Sequence, residues 1–110
     1  MTVIRCTSRL ARRLGVTPLD DVSDGPGLLG DWYANTLYVG SRRYAVCISS
    51  VTLLPVIMPL RRAEFASRFP DHLRTSLLGV GVASHAIEAE LSALGPVVYA
   101  KTRERSLTDC

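Results

Sequence analysis

A chain of 110 residues that is 47% hydrophobic and 21% charged has room for one domain around one core, and its composition excludes the disordered class. Its formal charge of +3 is the difference between 13 basic and 10 acidic residues, too small a surplus to mark a nucleic-acid-binding domain unaided. The longest apolar stretch, Val51 to Leu60, is about half the length of a spanning helix and is interrupted by Pro55 and Pro59, so no membrane partner is expected.

Thr2 to Cys6 is short, β-branched and apolar, and predicts a first strand. Thr7 or Ser8 then caps a helix to Leu14, with Leu10 and Leu14 facing the core and Gly15 ending it in the left-handed conformation. Arg9, Arg12 and Arg13 take the other side, which reads as a solvated face. With Arg5 they also occupy the place where a secretory signal needs an apolar run, so a cytoplasmic location is expected.

Val16 to Gly30 reads as a surface loop holding Asp20, Asp21, Asp24 and Gly25-Pro26-Gly27. Gly25, Gly27 and Gly30 match the spacing of a dinucleotide-binding turn, but that turn works only between a strand and a helix, and these aspartates repel phosphate. The same aspartates lack the closing glutamate of a calcium loop. No cofactor and no metal is expected.

Asp31 to Val39, Arg43 to Ser49 and Thr52 to Pro59 predict an antiparallel three-strand meander, with Pro55 placing the last strand at an edge or bulge. Helices follow. Arg61 to Phe69 is closed by Pro70, Asp71 to Leu78 forms a second turn or helix, and a third, capped by Ser84, carries Ile87, Leu91 and Leu94 inward. Val97 to Lys101 is a last strand. The fold class is α+β: a two-layer sandwich with a mainly antiparallel sheet, the first and last strands joining the meander's edges, and helices on one face.

Several segments form one pattern: Ile4-Arg5-Cys6-Thr7, Gly30-Asp31-Trp32-Tyr33-Ala34-Asn35, Thr52-Leu53, Lys101-Thr102 and Arg105-Ser106. Together they resemble a bacterial family catalogued as domain of unknown function 6933, over nearly the whole chain. In that family the Arg-Ser pair leads into a Gly, Met and Asn-Asp run. Here Leu107-Thr108-Asp109-Cys110 ends the sequence, so truncation or a frameshift relative to the family is expected. The resemblance implies no reaction.

Two polar constellations stand out. Lys101, Thr102, Arg103, Arg105 and Ser106 put charged donors and hydroxyls just after a strand, which suits a phosphate or carboxylate. The plain alternative is a solvated tail that Glu104 and Asp109 partly neutralise. Asp31, Trp32, Tyr33 and Asn35 enter the meander, and alternation separates Trp32 from Tyr33 and Asn35. One of the two aromatics is expected in the core, and an uncovered sheet face is available for stacked bases or a partner.

The other reactive side chains read as structural. His72 and His85 open helices without metal-ligand spacing, and no triad motif is present. Cys6 and Cys47 read as small core residues and Cys110 as exposed. All basic residues but Lys101 are arginines, and they are segregated along the chain: four lie between Met1 and Arg13, and Arg42 to Arg74 is basic again. The first expectation for function is therefore a non-catalytic binding module for nucleic acid or another polyanion. A homodimer or protein-interaction domain is the second. An enzyme using Lys101 and Arg105 as anion clamps, with Asp31 or His72 moving a proton, is the third.

Overall fold

The computed structural model describes residues 2–20 and 30–102. In chain order the elements are β1 (Thr2–Cys6), α1 (Ser8–Leu14), β2 (Trp32–Val39), β3 (Arg42–Ser49), β4 (Pro55–Pro59), α2 (Phe65–Gly79), α3 (Ser84–Ala93) and β5 (Val97–Lys101). The strands form one sheet in the order β4-β3-β2-β1-β5.

The meander is present as expected, antiparallel from β2 to β4, with β4 at the edge. β1 joins it beside β2, but in parallel, Ile4 lying opposite Trp32. β5 does not reach the meander's other side. It pairs in parallel with β1, Ile4 opposite Tyr99, so the sheet is mixed: antiparallel across the meander and parallel from β2 through β1 to β5. Two physical features account for this. Pro55 and Pro59 remove backbone donors from β4, and β1 is buried along all its length, with Ile4 and Cys6 on one face and Val3 and Arg5 on the other. Such a strand belongs inside a sheet.

One face of the sheet carries the main core. Leu10 and Leu14 of α1, the α2 stripe Phe65, Phe69, Leu73 and Leu77, and Ile87 of α3 pack against Ile4, Trp32, Cys47 and Met58. Thr7 caps α1 by accepting a bond from Leu10 N at 3.3 Å, and Gly15 (φ 71°) closes it in the left-handed conformation. On the opposite face Val3, Ala100 and Val98 form a smaller cluster. There Leu37, Ile48 and Ile57, all on the meander, are exposed.

Two helical expectations are corrected. Pro70 does not close a helix: α2 runs unbroken from Phe65 to Gly79 with Pro70 inside it, because its apolar stripe recurs every fourth residue across the proline. Ser84 does not cap α3. It is the first helical residue, and Ala83 stands at the cap with no side-chain bond.

Candidate functional site

The carboxyl ends of β1 and β5, two parallel neighbours, are where open sheets commonly gather ligands. Cys6, Ser8, Arg12, Thr17, Lys101 and Thr102 line a cavity of about 380 Å³ there. Leu19 runs along the outer edge of β5, donating to Tyr99 O at 3.0 Å and accepting from Lys101 N at 2.9 Å. The next residue, Asp20, holds Lys101 Nζ at 2.7 Å in an exposed ion pair. Lys101 and Thr102 thus share a hollow, with the lysine charge answered by Asp20. Arg103, Arg105 and Ser106 of this predicted constellation lie outside the described residues, as do Asp21, Asp24, the Gly25-Pro26-Gly27 segment and Cys110.

The second predicted constellation is divided by the sheet. Asp31 is buried and receives a bond from Arg5 Nε at 2.8 Å. Trp32 is 1% exposed and meets Phe69 edge-on at 5.1 Å between ring centroids. It is the core aromatic of the pair. Tyr33 and Asn35 are half-buried on the other face. Asn35 Oδ1 accepts from Thr36 N at 2.8 Å and from Thr7 Oγ1 at 3.2 Å, tying β2 to the cap of α1. Arg5 Nη1 also donates to Lys101 O at 3.4 Å. Three of the segments that carry the family resemblance, Ile4–Thr7, Gly30–Asn35 and Lys101–Thr102, therefore share one network joining β1, β2 and β5, and its hydrogen bonds hold strands together.

The groups needed for proton transfer are apart. Asp31 faces Arg5, and His72 faces a hollow with Arg61, Glu64 and Arg68. Neither lines the cavity that holds Lys101. Burial pushes the Cys6 thiol up to about 12 and raises Cys47 as well, so both stay protonated and unreactive at neutral pH. Among the described residues no His, Cys, Asp and Glu side chains group to hold a metal ion, and no helix is long and apolar enough to cross a membrane.

A different constellation appears at the hairpin end of the sheet. Arg9, Arg12, Arg13 and Tyr38 line one hollow, and Arg13 Nη2 donates to Tyr38 Oη at 3.2 Å. Tyr38 is the cross-strand neighbour of Arg43. Arg42, Arg43, Tyr44, Pro59 and Arg61 line the next hollow, of about 450 Å³, and Arg61 also lines the one that holds His72. Arg62 Nε donates to Leu14 O at 3.3 Å, drawing the end of α1 to the β4–α2 connection. Gly15 permits this approach, since a β-carbon there would collide with the Arg62 guanidinium.

Arg9, Arg12, Arg13, Arg42, Arg43, Arg61 and Arg62 are all exposed, and among the described residues none has a carboxylate within ion-pair distance. Sequence reasoning took Arg9, Arg12 and Arg13 for an ordinary solvated face. The available signal was the doublets Arg12-Arg13, Arg42-Arg43 and Arg61-Arg62, each at the boundary of an element. Nothing in their spacing says that those boundaries meet.

A family model described as a domain of unknown function (DUF6933) matches residues 3–108. The chain belongs to that family. The match spans both the strand-joining network and the arginine doublets of this DUF6933 domain. No curated protein and no solved structure matches it.

Proposed function

We propose that this DUF6933 domain is a non-catalytic module that binds nucleic acid or another polyanion through the arginine doublets at the hairpin end of its sheet. The observation that carries this reading is the convergence of exposed arginines from three separate segments on one end of the molecule, with no carboxylate answering them among the described residues. A guanidinium keeps its charge at every physiological pH and presents a planar fork to phosphate. Crowding such groups without acids costs stability through repulsion, a cost that bound phosphates remove. An enzymatic reading finds less support, because Asp31 is engaged by Arg5 and His72 faces a different hollow from Lys101. The buried free thiols Cys6 and Cys47 suit a reducing cytoplasm, where nucleic acid is abundant.

Fluorescence anisotropy with labelled nucleic acid, at low and at physiological salt, tests this reading. Micromolar binding is expected, with log K falling linearly as log salt rises. Replacing Arg42, Arg43 and Arg61 by alanine should lower affinity at least about tenfold and flatten the salt slope by roughly two to three. If a Lys101→Ala/Arg103→Ala/Arg105→Ala variant shows that loss instead, the site moves to the end of β5. Absence of binding at low salt sinks the proposal.

A second reading, a homodimer or protein-interaction domain, draws on the exposed Leu37, Ile48 and Ile57 of the meander. A monomer by light scattering at high concentration counts against self-association.

A further inference from the structure

The face of the meander away from the helices has a definite composition. Alternation along β3 puts Arg42, Tyr44, Val46 and Ile48 on the side away from the helices, since Ala45 and Cys47 belong to the main core. Across the ladders, Tyr44 stands between Leu37 and Pro59, Val46 between Asn35 and Ile57, and Ile48 between Tyr33 and Pro55. Leu37, Ile48 and Ile57 are 37%, 38% and 53% exposed. The face is broad and apolar, and at the hairpin end it runs directly into Arg42 and the hollow shared by Arg43 and Arg61. Tyr44 belongs to both regions. Its ring is half-buried in the sheet face and also lines the arginine hollow.

We infer that this face receives the bases of a single-stranded nucleic acid, with Tyr44 as a stacking platform and Arg42, Arg43 and Arg61 on the flanking phosphates. The inference rests on the polyanion reading and narrows it to one ligand class. Charge complementarity selects the occupant. An apolar surface with Tyr44 in it, bordered by arginines that have no carboxylate in ion-pair distance among the described residues, fits a ligand that strings flat apolar rings on an anionic backbone. A duplex keeps its bases in the stack and offers Tyr44 nothing to stack on. A second copy of this chain would bring arginines to the same border.

The test compares thymidine and uridine strands of about 12 nucleotides with an abasic sugar-phosphate strand of equal length and with inorganic polyphosphate. At physiological salt at least one base-bearing strand should bind about tenfold tighter than the abasic one. Tyr44→Ala should abolish that preference and leave abasic and polyphosphate binding unchanged. Tyr44→Phe should keep it, and thermal melts of both variants check that the fold survives. The inference is overturned, with the polyanion reading intact, if the two kinds of strand bind equally or if Tyr44→Ala weakens both alike. It is also overturned if Ile57→Arg dissolves a dimer without affecting strand binding, which gives the face to a second copy. If neither strands nor polyphosphate bind at low salt, both readings fall together.

Discussion

Arg5 is fully buried, and its guanidinium donates to Asp31 at 2.8 Å. Removing two charges from water costs several kcal/mol per ion, so such a pair is tolerated only with good geometry and further hydrogen bonds. Here Arg5 also reaches the backbone of β5 at Lys101. The pair therefore specifies which strands lie beside β1 at least as much as it stabilises them. Breaking it from one side should be severe: Asp31→Ala removes the carboxylate that holds the buried Arg5 Nε and is expected to lower stability by about 3–5 kcal/mol, read as a fall in the urea midpoint. The double variant Arg5→Met/Asp31→Leu should recover much of that loss. Asp31 was legible in the sequence as an important residue but not as a structural one, because its partner is distant in the chain and joins it only through the parallel pairing of β1 with β2.

The elements were mostly readable where a local rule acts alone. Thr7, Leu10, Leu14 and Gly15 gave α1 its cap, its inner face and its end, and alternation from Trp32 to Val39 gave β2 its two faces. The local rule failed at Pro70, which sits inside α2 rather than after it. Its ring leaves the Ala66 carbonyl without an intrahelical donor, but Ala66 is exposed, so its carbonyl is open to solvent. Packing of Phe69 on Trp32 then outweighs the local preference. Pro70→Ala should restore the helical bond and raise stability by about 1 kcal/mol or more, seen as a higher melting temperature.

For the whole molecule, the decisive fact is where the arginine doublets come together. Antiparallel pairing puts Tyr38 beside Arg43, and the contact of Arg62 with the end of α1 brings the β4–α2 connection to the same corner. Like charges at that corner, with no carboxylate in ion-pair distance among the described residues, repel one another, so on the proposed reading this end of the fold trades stability for anion binding. Arg61→Glu is expected to raise the melting temperature at low salt, by about half a kcal/mol in stability, while weakening polyanion binding. The stabilisation should shrink in about 1 M salt, where the screening length falls to roughly 3 Å. A variant equally stable at all salt concentrations would show that the arginines do not interact.

The sequence by itself determined the meander, the first helix, the core positions of Cys6 and Cys47 and the burial of one of Trp32 and Tyr33, because each follows from neighbours within a few residues. It also carried the family, through short segments, three of which the fold joins in one hydrogen-bonded network. Tertiary structure alone decided that β5 lies beside β1, that α2 passes through its proline, and that three arginine doublets share a corner. Those outcomes depend on contacts between residues tens of positions apart, whose energies are set by burial and strand pairing and leave no local trace in the chain.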